Sequence, residues 1–170
     1  KWTPIVSAHG KSSPMSDSID RTGLRPNFWK TVPMDDLTRP EWEAICDGCG
    51  KCCLNKLEDE DTGQVDLTRV ACRLLDGATC LCSKYVMRHQ YVPECIVLTP
   101  KTLEDNMYWL PKTCGYRLVA EGRDLYPWHP LISGDPQTVH DAGVSIKGIT
   151  IAEGDVNEDD WDDYIIEEPT

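Results

Sequence analysis

The chain has 170 residues, a net charge of −12 and a mean hydropathy of −0.43. Such an acidic balance repels nucleic acid and anionic membrane surfaces, so neither is expected as a partner, and no apolar run approaches the ~20 residues of a membrane span. The length suits one domain with a modest core.

Residues 1–27 mix Ser, Pro, Gly and Lys without periodicity and read as a flexible N-terminal arm. They contain no apolar stretch before a small-residue cleavage site, so a cytoplasmic location is expected. Residues 28–152 read as the folded domain. Thr38-Arg39-Pro40-Glu41 predicts a helix start, with Thr38 as cap, Pro40 in the first turn and Glu41 completing a capping box. That helix carries Trp42 and Ile45, runs into Cys46 and stops at Gly48. Residues 55–64 read as a charged, solvated loop. Leu67, Val70, Ala71, Leu74 and Leu75 recur at helical intervals and predict a helix over 65–75. Cys80-Leu81-Cys82 suits a short extended piece, and Ser83 can cap a short helix through Tyr85, Val86 and His89. Thr99-Pro100 opens a helix to about Trp109, stopped by Pro111. Tyr126-Pro127-Trp128-His129-Pro130 excludes regular helix, and Gly134-Asp135-Pro136 predicts a turn. Val144, Ile146, Ile149 and Ile151 predict one or two short strands. Residues 153–170 form an acidic C-terminal tail, in which Trp161 and Tyr164-Ile165-Ile166 could dock locally.

The chemistry lies in nine cysteines: Cys46, Cys49, Cys52, Cys53, Cys72, Cys80, Cys82, Cys95 and Cys114. Four of them fall in Cys46-Asp47-Gly48-Cys49-Gly50-Lys51-Cys52-Cys53, where two glycines permit the positive φ that turns thiolates toward one centre. A disulfide framework is disfavoured by the odd count and by a length that needs no staples. Soft thiolates select zinc, copper(I) or iron–sulfur clusters. The first three cysteines keep the C-x2-C-x2-C rhythm of bacterial ferredoxins but lack the fourth cysteine followed by proline. The second pair, Cys80 and Cys82, is C-x-C and fails the zinc-ribbon spacing. Spacing alone therefore leaves zinc and iron–sulfur open. All nine cysteines are candidate ligands, with Cys46, Cys49 and Cys52 expected on one centre and Cys53 turned away from Cys52 toward Cys72, Cys80 or Cys82. Among the histidines His129 stands out, held between prolines in a Trp-rich loop. Arg73 and Arg117 follow cysteines and could offset the charge of a centre. No P-loop, G-x-G-x-x-G, H-E-x-x-H or G-x-S-x-G motif is present, and no nucleophile or general base can be argued.

The eight-residue cysteine motif is accompanied by Asp59-Glu60-Asp61-Thr62, Val70-Ala71-Cys72-Arg73, Trp109-Leu110-Pro111, Cys114-Gly115-Tyr116-Arg117-Leu118 and Trp128-His129-Pro130-Leu131. In these segments the chain resembles the YcgN-type family of bacterial proteins, part of the wider CxxCxxCC (YkgJ-like) group of zinc- or iron-chelating domains. The resemblance spans about residues 28 to 150. It implies metal chelation and supplies no reaction. A related cysteine domain resembles part of a flagellin lysine methylase with an iron–sulfur centre, which tilts the expectation toward an iron–sulfur cluster, with zinc as the alternative. The expected fold is α+β, mainly helical with few short strands, in a small single domain organised around a cysteine-held metal centre. The expected function is metal binding with a structural, redox or metal-handling role. The competing readings are a zinc-binding structural or interaction protein, a metal-dependent modification enzyme using the Trp128-His129 loop, and a disulfide-stabilised interaction module. A protein partner is left open.

Overall fold

The computed structural model describes residues 19–168. Most of the expected N-terminal arm, residues 1–18, lies outside the described residues, as do the last two residues of the acidic tail. The described chain is α+β, with short helices and few strands, and it divides into two compact units built from interleaved stretches.

One unit comprises residues 50–95 and the chain from Ile146 onward. Its frame is an antiparallel hairpin, β1 (Leu54–Glu58) and β2 (Val65–Ala71), in the register Leu54 to Ala71 and Glu58 to Val65, with an irregularity between Leu54 and Lys56. The charged stretch expected as loop thus contributes a strand up to Glu58. Its turn is closed by Asp59, whose Oδ1 accepts from the backbone N–H groups of Asp61 and Thr62 and from the Thr62 hydroxyl. β2 pairs on its other edge with β5 (Ile151–Ala152), in parallel. A second hairpin, β3 (Leu75–Asp76) with β4 (Leu81–Cys82), follows. Chain beyond 146 completes the unit: Ile166 N–H donates to Leu67 O, Arg69 lies over the Tyr164 ring, and Trp161 is buried in a 3₁₀ helix over Glu158–Tyr164. Leu54, Ala71, Cys80 and Ile146 form its core.

The expected helix over 65–75 is instead this central strand. β2 is covered on both faces, so Leu67, Thr68, Val70 and Ala71 are all buried. A strand buried on both sides loses its alternation, and its apolar positions then mimic helical spacing. The β-branched Val65, Thr68 and Val70 favour the extended form that the two partners stabilise.

The other unit comprises residues 19–49 and 96–145 and is helical. It contains α1 (Phe28–Thr31), α2 (Arg39–Ala44), α4 (Leu103–Asn106), α5 (Gly115–Ala120), α6 (Pro130–Ser133) and α7 (Thr138–Asp141); α3 (Arg88–Tyr91) belongs to the first unit. The capping box of α2 forms as expected, with Glu41 N–H donating to Thr38 Oγ1 and Thr38 N–H to Glu41 Oε2. α2 ends at Ala44, earlier than expected. Trp42 packs tilted against Tyr116 of α5, ring centroids 4.7 Å apart, and donates its indole N–H to Leu98 O.

Glu41 is almost fully buried and receives both a 2.6 Å and a 2.5 Å bond from the fork of Arg25. The guanidinium, helped by the Thr38 N–H, lowers the Glu41 carboxyl to about 2. A depressed carboxylate stabilises the fold above its unfolded pKa, about 4.3, and that contribution fades as pH falls toward the folded value. Arg25→Ala is therefore expected to lower the urea midpoint at pH 7 and to converge on the wild type between pH 4.3 and about 2. A deficit that stayed constant across that window would rule out this pair as its source.

Candidate metal centre

The first unit gathers six thiols, five of them outside its apolar core. Gly50, at φ 79, enters a 3₁₀ turn over Lys51–Cys53 that presents Cys52 and Cys53. A side chain at position 50 would meet Ile146 Cγ1 at 2.8 Å and Cys80 Cβ at 3.0 Å, so glycine is required for both conformation and space. The N–H of Cys72, just past β2, donates to Cys53 O at 2.9 Å and fixes Cys72 beside that turn. Cys82 ends β4, and Cys95 follows α3 with its N–H on Val92 O.

The thiols sense one another. Cys53 is hydrogen-bonded to the Cys52 thiol, which with burial and the nearby Cys72 and Cys82 holds it well above the ordinary thiol pKa. Burial raises Cys72 to about 11, with Glu153, Cys95 and Cys82 adding and the Leu74 N–H opposing. Burial also raises Cys82 and Cys95. Arg88 opposes that rise at both, by charge at Cys82 and by charge and a hydrogen bond at Cys95. Its guanidinium is held by stacking 4.2 Å over the Tyr85 ring and by donating to Tyr85 O. Cys52 is exposed, whereas Cys53, Cys72, Cys82 and Cys95 are half-buried. Cys72 and Cys82, which Cys53 is expected to face, and Cys52, from which it is expected to turn, all lie near enough to act on its thiol.

Among the described residues, no three Cys, His, Asp or Glu side chains form a ready-made ligand group for one ion. The chemistry of the set nevertheless fits a thiolate-bound metal. Five soft donors besides the core thiol of Cys80 share one unit, and Lys51, which immediately precedes Cys52, has its Nζ buried with no hydrogen-bond partner among the described residues. An anionic thiolate centre would supply the counter-charge that this ammonium lacks. Metal binding would release the protons that burial holds on these thiols.

The remaining cysteines sit differently. Cys80, at φ 60, is buried in the core of the first unit with Leu54, Ala71 and Ile146. Three more belong to the helical unit. Cys46 follows the end of α2, where the Arg21 guanidinium donates to the carbonyls of Ala44 and Cys46 and lies near Asp47 and Tyr116. Cys49 is buried against Val139 and Val144, and its N–H donates to Asp47 Oδ1. Cys114 caps α5 and is half-buried. His129 is fully buried with both ring nitrogens engaged: Nδ1 accepts from Leu131 N–H and caps α6, and Nε2 lies 2.9 Å from Ile45 O. With Nδ1 accepting, the proton sits on Nε2, and burial pulls the imidazole pKa down. Its ring is thus committed to joining α6 and the end of α2. Arg117, which could offset a centre's charge or form an ordinary ion pair, pairs with Glu121 and donates to Leu110 O.

Three residues of this region escaped the sequence reading. Lys51 was hidden by its charge, which suggests a surface. Arg88 lacked any neighbouring cysteine in sequence. Glu153, placed in the tail, accepts from Arg73 N–H and Asn55 Nδ2 and stands near Cys72.

The cysteine motif and its surroundings define a CxxCxxCC-type domain: the family model described as "Putative zinc- or iron-chelating domain" matches residues 45–115. A UPF0260 protein of Rhodobacter capsulatus is 65% identical over 147 residues, covering 86% of this chain and 98% of that protein. UPF0260 proteins of Sinorhizobium fredii and Rhizobium meliloti are 57% and 56% identical, each over 142 residues, covering 84% of this chain and 91% of each relative. The chain belongs to the UPF0260 family. No solved structure matches. No helix of the described residues is long and apolar enough to cross a membrane.

Proposed function

We propose that the protein binds metal through the thiols of its first unit, Cys52, Cys53, Cys72, Cys82 and Cys95, and that the bound species is an iron–sulfur cluster. The observation that carries the reading is that one compact unit brings these five thiols in from four separate parts of the sequence, with Cys72 N–H bonded to Cys53 O at 2.9 Å and Cys82 on the hairpin that follows. Iron–sulfur is favoured by the hydrogen bond from Arg88 to Cys95, since donors to ligand sulfur are a lever on cluster potential. When bound, such a cluster supplies one-electron chemistry; the chain's own residues hold it, shield it and balance its charge. A zinc centre is the second reading, favoured by the same soft donor set and by the family description. Nine free thiols suit a reducing compartment, so a cytoplasmic site of action is proposed.

The test is the metal content of protein purified without oxygen. Iron and acid-labile sulfide, with absorption in the blue, are expected. Zinc without sulfide would establish the second reading. Metal-free protein with paired cysteines would overturn both.

A further inference from the structure

The stretch between Asp76 and Glu94 is the longest in the chain without an acidic residue, and it carries Lys84 and Arg88 instead. It lies wholly in the sheet-bearing unit. Val86 is 78% exposed, more than any other large apolar side chain among the described residues, and Met87 and Tyr91 are each 42% exposed. A 3₁₀ turn over Tyr85–Met87 runs directly into α3, so Met87 and Tyr91, four residues apart, stand on the same side of it. Arg88 is held at this turn by its stack 4.2 Å over the Tyr85 ring and its bond to Tyr85 O. The surface is therefore an apolar centre with a basic rim. Tyr, Met and Arg are enriched where protein surfaces meet, and methionine adapts to whatever faces it. Cys82 and Cys95 lie on either side of these residues, so a partner seated here covers the segment that links two of the five thiols.

We propose that the segment from Lys84 to Tyr91 is a docking surface for a small acidic protein that carries single electrons. Charge selects the partner: Lys84 and Arg88 flank the exposed side chains, and no carboxylate of the same segment opposes them. At physiological ionic strength charges beyond about 8 Å are largely screened, so these local cations, rather than the net charge of the chain, meet the partner's carboxylates. Size selects a transient contact. Three exposed apolar side chains cover too little surface for a stable dimer and suit the small, short-lived interfaces of electron carriers. The choice of an electron carrier rests on the iron–sulfur reading above; the surface itself is independent of it.

The probe is dye-labelled oxidised flavodoxin, titrated with anaerobically purified protein and followed by fluorescence anisotropy at low ionic strength and in high salt. Wild type is expected to bind in the micromolar range and to lose about tenfold in affinity in high salt. Val86→Glu, and separately Lys84→Glu, are expected to weaken binding at least tenfold. Val86 is so exposed that its replacement should leave the circular dichroism and the metal content as in wild type. No flavodoxin binding by wild type, or equal binding by wild type and Val86→Glu, overturns the inference. So does self-association of wild type that Val86→Glu abolishes, which would give the surface to a second copy of the chain. Iron and sulfide, measured on the same preparations, keep the two readings apart. A protein free of both that still binds flavodoxin through Val86 retains the docking surface and loses the cluster. One that holds both and does not bind flavodoxin loses the docking surface alone.

Discussion

Gly115→Ala is expected to destabilise the protein by about 3–5 kcal/mol, combining an overpacked site with the loss of a buried hydrogen bond. A Cβ at this position would stand 2.2 Å from Ile45 O and 2.9 Å from His129 Nε2. Those two atoms form the buried bond that ties the end of α2 to the cap of α6. Neither can yield cheaply. The carbonyl belongs to backbone, and the ring is held from its other side by Leu131 N–H. If the ring moves away, both Ile45 O and the imidazole N–H are left buried and unpaired. Gly154→Ala is the matching control, since a Cβ there meets nothing within 4 Å; a change within about 0.5 kcal/mol is expected. Urea denaturation of both variants checks the pair. Similar midpoints for Gly115→Ala and wild type would show that the Ile45–His129 bond is not the constraint described.

Lys51→Met is expected to move the metal-free and metal-bound proteins in opposite directions. Without metal, the Lys51 ammonium is buried with no hydrogen-bond partner among the described residues, and replacing it with an apolar chain of similar length should stabilise the fold by about 2 kcal/mol. With metal, the same substitution removes the cation that precedes Cys52 in the chain and should weaken retention about tenfold, close to 1.4 kcal/mol. Chelator-treated protein tested in urea reads the first effect, and competition with a chelator of known affinity reads the second. A variant that is less stable in both states would mean that the Lys51 side chain serves packing alone. Arginine at position 51 would not restore the wild-type pattern, because its planar fork is larger and differently hydrated.

Features set by short-range chemistry were legible in the sequence. The capping box at Thr38 and Glu41 depends on residues three apart, and it formed. The positive φ of Gly48 and Gly50 could be anticipated from their place between thiols. The proline pattern around His129 excluded helix up to the residue where α6 begins, although not the conversion of that histidine into a cap. What local pattern could not carry was the identity of the neighbours. Leu67 and Val70 read as one face of a helix until β1 and β5 are known to flank them. Likewise, Cys72, Cys82 and Cys95 join Cys52 and Cys53 because a strand, a tight hairpin and a one-turn helix bring them there. Equal spacing along a motif made Cys46, Cys49 and Cys52 appear to be one set. The boundary between the two units falls inside that motif, between Cys49 and Gly50.

The interleaving of the two units bears on how the protein is made. All six thiols of the sheet-bearing unit precede residue 96, yet β5 and Ile146, which complete its sheet and core, are encoded about fifty residues later. At about 5–20 residues per second, a ribosome needs on the order of three to ten seconds to cross that interval. During this time one edge of β2 is unpaired and Cys80 lacks its Ile146 cover. The nascent chain therefore passes through a stage in which its sulfurs are open to oxidants and to stray metals before the fold can discriminate among them.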